Sequence, residues 1–247
     1  MENSISIKNL KKSYNSTDVF SDLNLELEKG KIIAFFGPNG CGKSTFLNIL
    51  SGIVDKDGGA LNNFDKSSFS YMFQNYQSSL MPWRNNFDNL SLPLEFKSIK
   101  RDLIESRIKE TYNKYGFKID LKSYPYELSG GQKQFLAFLR AIITNPTTLL
   151  LDEPFSALDY ENSFLLSNKL QEYYLNNKPT VLVITHDIEE AIYLADEIII
   201  FSKKPTKIIG RIKNPLPRPR NLETLKSEQF HKIKKEVLKI FQSETGL

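Results

Sequence analysis

The run GPNGCGKST at positions 37–45 has the residue types and spacing of a phosphate-binding loop. It follows the apolar run KIIAFF and precedes the helix-compatible FLNIL, which is the context that such a loop requires. Its glycines let backbone N–H groups face a phosphate, while Lys43 can reach the β- and γ-phosphates and Ser44 can offer its hydroxyl to Mg²⁺. We therefore predict a nucleotide site formed by Gly37, Pro38, Asn39, Gly40, Cys41, Gly42, Lys43, Ser44 and Thr45.

Acidic and imidazole side chains follow two further apolar runs. TTLLLDEP contains Asp152 and Glu153, and VLVITHD contains His186. Because parallel strands present their carboxyl ends at one edge of a sheet, we expect these groups beside the loop. Asp152 would hold Mg²⁺ through water, Glu153 would orient the attacking water and His186 would contact the γ-phosphate. A helix N-cap for the Asp-Glu pair and a structural role for His186 are the alternatives; His231 is expected to be exposed surface.

A second phosphate grip is predicted at LSGGQ, residues 128–132, where a Ser-Gly-Gly step opens an amphipathic helix. If this segment lies on a separate lobe, it faces away from the first loop of its own chain. A two-fold, head-to-tail dimer resolves the problem, because each chain can then close over the nucleotide of the other.

Over nearly its whole length the sequence resembles the nucleotide-binding subunits of ABC transporters, which implies ATP and Mg²⁺ as ligands. The resemblance implies that Tyr14 stacks on adenine, that Gln74 touches Mg²⁺ with Ser44 and Asp152, and that Lys43, Glu153 and His186 are catalytic. It also implies a loop at 156–159, ending in Asp159, that crosses the dimer interface. Tyr14 as a packing aromatic and Gln74 as a surface amide remain alternatives. The signature motif of the family would be Ser129, Gly130, Gly131 and Gln132.

The same resemblance implies an α/β P-loop NTPase fold: a RecA-like, mostly parallel sheet core with an antiparallel β subdomain and an inserted α-helical lobe. We assign 1–74 and 141–213 to the core and β subdomain, 75–140 to the lobe, and 214–247 to a Pro-rich linker and closing helix. The alternation in LNLELEKG predicts a half-buried strand. Two helical apolar faces are expected: Ile99, Leu103, Ile108, Tyr112 and Tyr115 in the lobe, and Phe230, Ile233, Val237, Ile240 and Phe241 in the closing helix.

Composition limits the class of protein. The 247 residues are 40% apolar and 25% charged, as in globular proteins, and the net charge of +4 is too mild and dispersed to indicate nucleic-acid binding. A single cysteine, Cys41, allows no internal disulfide and favours a reducing compartment. The N-terminal MENSISIKNLKKSY predicts no signal peptide, and the longest apolar runs, IIAFF and IIIF, are too short to span a bilayer. Any role at a membrane is therefore expected to need a partner.

The layout favours an importer subunit with separate permease chains. Only 53 residues separate Gln74 from Leu128, too few for the coiled-coil arm of repair ATPases, and one cassette is present. The segments 77–96, with Trp83, and 216–221 resemble nitrate/sulfonate/taurine-type importers. This implies a homodimer or pair of ATPase subunits, permease subunits, an extracytoplasmic substrate-binding protein and a place on the cytoplasmic face of the membrane. Trp83 would be either lobe core or permease-docking surface. A non-transport ATP-gated clamp is the alternative function.

Two smaller expectations concern the motifs themselves. Cys41, near a helix N-terminus and two residues from Lys43, is expected to favour the thiolate and to offer a labelling handle on the site. A small residue that simply fits the loop, with no redox role, is the alternative. After the signature motif, the bulky Phe135, Phe138 and Leu139 depart from the family pattern and are expected to affect partner-site affinity or subunit packing.

Overall fold

The computed structural model describes residues 3–115, 118–156 and 158–245. Along these residues the strands are β1 (Ser4–Tyr14), β2 (Thr17–Glu28), β3 (Ile32–Phe36), β4 (Gly58–Asn62), β5 (Phe69–Met72), β6 (Thr148–Asp152), β7 (Thr180–Ile184), β8 (Glu197–Phe201) and β9 (Ile208–Lys213). The helices are α1 (Lys43–Ser51), α2 (Tyr76–Ser79), α3 (Asn86–Phe96), α4 (Arg101–Tyr115), α5 (Gly130–Ile142), α6 (Tyr160–Asn177), α7 (Ile188–Leu194), α8 (Leu222–Lys226) and α9 (Glu228–Thr245).

The central sheet has the order β5-β6-β7-β3-β8-β9, and every neighbouring pair is parallel except β8 with β9. Its inner strands are buried on both faces, which explains their continuous apolar runs. In β3, Ile32 and Ala34 pack with the helices, whereas Ile33 and Phe35 pack with α1 and the second sheet. The expected α/β core is confirmed.

The second sheet is antiparallel, with β1 between β2 and β4. The predicted alternation in β2 is confirmed, because Leu23, Leu25 and Leu27 are buried while the residues between them are exposed. These leucines share one apolar cluster with Phe35 and Phe46, so this sheet is anchored over the start of α1.

Helices α2 to α5 occupy the chain between β5 and β6. The expected apolar face of α4 is wrong at Leu103, which is 60% exposed, because the buried positions are Ile104, Ile108 and Tyr115. The helix begins only at Arg101, so Ile99 lies before it and does not set its phase. In α5, Phe135, Phe138 and Leu139 are buried in the core of this chain. Their bulk lies inside this chain, and the expected effect on partner-site affinity or subunit packing stays a prediction.

The closing helix α9 buries the predicted face. Phe230, Ile233 and Val237 lie in the main core, and Ile240 and Phe241 pack against it half-buried. The Phe241 ring lies 5.1 Å from that of Phe36 on the central sheet. His231 is exposed, as expected. None of the helices in the described part of the chain has the length and apolar character to cross a membrane.

Residues 214–220, which we name the strap, differ from the expected linker. They have no helix or strand, but Asn214, Leu216 and Arg220 are buried. The Arg220 guanidinium donates to the carbonyls of Ile192, at 2.9 Å, and Ala195, at 2.8 Å, and also to those of Tyr193 and Leu216. The last carbonyls of a helix lack partners within it, so the strap satisfies the end of α7. Burial lowers the pKa of Arg220 to about 10.

Replacing Arg220 should therefore destabilise the fold. We expect Arg220→Met to lower the free energy of unfolding by about 2–4 kcal/mol, because the buried carbonyls at the end of α7 lose a charged donor. Chemical denaturation of the two proteins measures the difference. Lys226→Met is the matched control, since Lys226 pairs with Glu223 on the exposed surface of α8 and its loss should leave the midpoint unchanged. Equal midpoints for Arg220→Met and the wild type would contradict the assigned role of the strap.

Candidate nucleotide site

The predicted phosphate loop connects β3 to α1. A side chain at Gly37 would lie 2.8 Å from the carbonyl oxygen of Phe201, so only glycine fits there. Gly42 is the N-cap of α1, has φ of +115° and gives no side-chain cap. Glycine therefore occupies the N-cap position but has no side-chain acceptor for the first N–H groups of α1. Such an end attracts anions through its N–H groups and its dipole.

Lys43 lies inside this loop. Its side chain is buried, and Nζ donates to the carbonyl oxygens of Gly37, at 2.8 Å, and Pro38, at 3.0 Å. The ammonium group therefore lies against the backbone of the loop, where phosphate oxygens can replace these neutral acceptors.

Ser44 and Asp152 form a pair with the chemistry of a magnesium site. The Ser44 hydroxyl donates to Asp152 Oδ1 at 3.1 Å, and Asp152 is buried at the end of β6. Burial raises the pKa of Asp152, while the bond from Ser44 acts in the opposite direction. Tyr71 also donates to Asp152 Oδ2, at 3.4 Å, and to Asn48 Oδ1, at 2.9 Å. Sequence reasoning missed Tyr71, because an aromatic on a strand usually indicates packing.

These residues fit Mg²⁺. A hydroxyl and a carboxylate are hard oxygen ligands, and Mg²⁺ commonly takes few protein ligands together with phosphates and water. The part of the chain that the structure describes contains no cluster of three or more His, Cys, Asp or Glu that could hold a metal ion. Gln74 faces this region but bonds to Glu153 rather than to Asp152.

Glu153 lies next to two other predicted site residues, Gln74 and His186. Gln74 Nε2 donates to its Oε2 at 3.0 Å, and His186 Nδ1 lies 3.3 Å from the same oxygen. The residue has φ of +46°, a conformation that costs a non-glycine residue on the order of 1 kcal/mol and is concentrated at functional sites. Its N–H donates to the Ile184 carbonyl at 3.0 Å, so the turn is tied to the end of the next strand.

Lys43, Ser44, Gln74, Glu153 and His186 line one cavity of about 430 Å³, whereas Asp152 is outside that lining. The structure adds Lys204 to the lining. Sequence reasoning missed this residue, because no motif marks a lysine in a loop. Tyr14 is 45% exposed at the end of β1, with Lys12 Nζ 5.0 Å from its ring, and is outside the lining. The lining residues are Asn39, Gly40, Gly42, Lys43, Ser44, Thr45, Gln74, Glu153, His186 and Lys204.

The second predicted grip lies elsewhere. Ser129 is the N-cap of α5 and forms a reciprocal pair of bonds with Gln132, at 3.0 and 3.3 Å. The Gly130 carbonyl accepts from Tyr76 at 3.3 Å. Asp159 is the N-cap of α6, and hydrogen bonds from Asn162 lower its pKa. Among the described residues, neither the signature residues nor Asp159 line the cavity, and Ala157 lies outside the described residues.

Cys41 contradicts the expected thiolate. The residue is 2% exposed and packs in the cluster of β3 and α1. Burial raises the pKa of its thiol, and this outweighs the opposing charge of Lys43. Proximity to a lysine and to a helix N-terminus therefore does not produce a reactive group where water is excluded.

Comparisons with known proteins agree with this geometry. A family model described as ABC transporter matches residues 20–156. The chain is 37% identical over 242 residues to an aliphatic sulfonates import ATP-binding protein, SsuB, of Bacillus cereus, covering 95% of this chain and 93% of that relative. The chain belongs to the ABC transporter family. It is an ATPase coupled to transport, as the motifs predict.

Two further likenesses extend this result. The ABC ATPase is 35% identical over 214 residues to the taurine import ATP-binding protein TauB of Escherichia coli O157:H7, covering 84% of this chain and 83% of that one. A solved dimeric structure of the ATP-binding cassette MJ0796, in a post-hydrolysis state bound to ADP and Pi, has a TM-score of 0.75 and 27% identity. It covers 86% of this chain and 100% of that chain, which confirms the predicted P-loop NTPase fold.

The buried thiol gives a test of this site. We expect Cys41 in the folded ABC ATPase to react with iodoacetamide on the order of a hundredfold slower than an exposed cysteine, because reaction requires local opening. The labelling rate is measured by mass spectrometry with and without denaturant, and the unfolded chain is the internal control. Rapid, stoichiometric labelling of the native protein would overturn the burial of Cys41.

Proposed function

We propose that this ABC ATPase binds MgATP in the cavity beside α1 and hydrolyses it with Glu153, His186 and Lys43. One observation carries the proposal. Glu153 Oε2 accepts a hydrogen bond from Gln74 and lies 3.3 Å from His186 Nδ1, in the same cavity as Lys43 and Ser44. A carboxylate so held can accept a proton from water while the loop N–H groups and Lys43 hold the phosphates.

The residues have distinct roles in this proposal. Lys43 and the N-terminus of α1 bind the β- and γ-phosphates, and His186 contacts a γ-phosphate oxygen. Ser44, Asp152 and Gln74 would hold Mg²⁺, which supplies neutralisation of the phosphate charge when bound. Tyr14 would stack on adenine from the end of β1, where 45% exposure leaves its ring accessible.

The active unit in this proposal is a dimer around two ATP molecules. Ser129, Gly130, Gly131 and Gln132 of one copy would cover the γ-phosphate bound by the other, and Asp159 would lie at the interface. The separation of α5 from the cavity of its own chain supports this arrangement. The solved likeness of MJ0796 is itself dimeric.

The transport partner is proposed to be a separate permease that meets residues 77–96. Trp83 is 72% exposed and Phe96 81% exposed, which removes the alternative that Trp83 is a core residue. Arg84 and Glu95, their neighbours in sequence, form an ion pair of 2.9 Å. Exposed aromatics of this size mark interaction surfaces when they stand together. The permease would hold the ATPase at the cytoplasmic face of the membrane, with an extracytoplasmic substrate-binding protein delivering the solute.

The solute is proposed to be a small organic anion or a related solute, of the sulfonate, taurine, nitrate or thiamine-precursor type. The names of the two import relatives support this proposal.

Glu153→Gln tests hydrolysis and transport together. We expect ATPase turnover to fall about a hundredfold or more, because the amide cannot accept a proton from water, while ATP still binds. In cells that depend on this chain, growth on taurine or an alkanesulfonate as sole sulfur source should stop while growth on sulfate continues. Glu236→Gln, on the exposed surface of α9, is the matched control. Wild-type turnover in Glu153→Gln would refute the assignment of Glu153.

Ser129→Arg tests the composite site. The added cation should prevent the second copy from closing, so we expect no MgATP-dependent dimer by size-exclusion chromatography and no turnover. Binding of MgATP to the single chain should remain within about threefold of the wild type, because Ser129 is outside its own cavity. Lys43→Ala is the contrast that loses binding, and Ser243→Arg on α9 controls for the added charge. If Ser129→Arg weakened single-chain binding as strongly as Lys43→Ala, the dimer proposal would be wrong.

A further inference from the structure

We propose that Lys204 binds the α-phosphate of the nucleotide. This inference rests on the proposed MgATP site and adds a residue that none of the motifs contains. Lys204 lines the cavity together with Gly42, Lys43 and His186.

The loop that carries Lys204 is fixed against the phosphate loop. Residues 202–207 connect β8 to β9, and the backbone is closed by Ser202 N–H donating to the Lys207 carbonyl at 2.9 Å. The Thr206 hydroxyl donates to the Cys41 carbonyl, and Thr206 N–H donates to the Val19 carbonyl at 2.8 Å. Thr206 is buried by these contacts. The loop is therefore held to both the phosphate loop and β2.

The Lys204 ammonium is available for a ligand. The residue is exposed, and across residues 3–115, 118–156 and 158–245 no hydrogen bond or ion pair occupies its side chain. Lys43, by contrast, is bonded to two loop carbonyls. The cavity is therefore lined by two ammonium groups: Lys43, which already donates to loop carbonyls, and Lys204, whose side chain donates to no described residue.

Strand order determines which phosphate Lys204 meets. Glu153 and His186 follow β6 and β7, on one side of β3, whereas Lys204 follows β8 on the other side. A triphosphate with its γ-phosphate at Glu153 and His186 must extend across the loop toward β8. Its α-phosphate then approaches Lys204, on the side where Val19 joins this loop to the β1–β2 sheet that carries Tyr14.

The electrostatics of Cys41 indicate that Lys204 lies near the phosphate loop. Burial raises the pKa of the Cys41 thiol, and the positive charge of Lys204 acts on that thiol in the opposite direction. The ammonium is thus close enough to the phosphate loop to affect it electrostatically. A phosphate at this place would meet one more positive charge than the motif residues supply.

The α-phosphate is present in both ATP and ADP, which makes the inference testable. We expect Lys204→Met to raise the Kd of MgADP and of the non-hydrolysable MgAMP-PNP by the same factor, roughly tenfold. In turnover the effect should appear mainly in KM, because the contact exists equally before and during phosphoryl transfer. Isothermal titration calorimetry gives both Kd values.

Three companion variants sharpen the test. Lys207→Met, an exposed lysine of the same loop outside the cavity lining, should bind both nucleotides as the wild type does. Lys204→Arg should restore most of the affinity, whereas Lys204→Gln should not, since the amide keeps a donor but loses the charge.

The outcomes separate the two levels of inference. A wild-type protein that binds neither nucleotide would refute the proposed function itself. Given wild-type binding, unchanged Kd values in Lys204→Met would overturn this inference, and so would weaker binding of MgAMP-PNP alone, which would place the lysine at the γ-phosphate. Full affinity in Lys204→Gln would also overturn it, because the contact would then be a neutral one such as a ribose hydroxyl.

Discussion

The register of the parallel strands is the constraint on which the site depends. Ile184 pairs with Asp152 on one side and with Phe35 on the other, and Phe36 pairs with Ile200. These pairs align the carboxyl ends of β6, β7, β3 and β8, so the groups that follow each strand reach one edge. A slip of one residue would exchange the two faces of a strand and move Asp152 away from Ser44. Because both faces of these strands are buried, such a slip would also draw a polar end residue into the apolar interior, which is costly.

A hydrogen-bonded turn that carries an exposed imidazole is the second feature of the site. The turn that carries His186 is held on both sides: Thr185 donates to Glu190 at 2.6 Å, and Asp187 accepts from Glu189 N–H at 2.7 Å as the N-cap of α7. The far end of α7 is closed by Arg220. The imidazole itself stays 54% exposed. The chain therefore uses the strap at 214–220 to fix a helix whose other end presents a proposed catalytic group.

The sequence predicted what local chemistry determines and missed what burial determines. The loop at 37–45, the strands ending in Asp152 and Ile184, and the leucine alternation of β2 follow from residue type and spacing alone. The sequence did not predict the burial of Arg220, because the prolines before it indicate a linker. Only the structure shows that the carbonyls at the end of α7 need its donors. Cys41 was misjudged because its neighbours favour the thiolate and only the packing excludes water. Leu103 was assigned to the wrong face because the start of α4 fixes its phase, and Lys204 enters the site through a loop contact distant in sequence.

The two helix ends that the sequence offers as phosphate grips are unequal in structure, and their difference bears on the order of events. The N-cap of α1 is Gly42, which brings no acceptor, so nothing from its own side chain competes with a phosphate. The N-cap of α5 is Ser129, whose hydroxyl already accepts the Gln132 N–H while Gln132 caps the Ser129 N–H. A phosphate at α5 must compete with this reciprocal pair, whereas one at α1 does not. In the proposed dimer, a phosphate would therefore bind at α1 of a single chain, whereas engagement of α5 would need the additional contacts of a second copy. In this proposal the nucleotide binds at α1 first and the dimer closes afterwards.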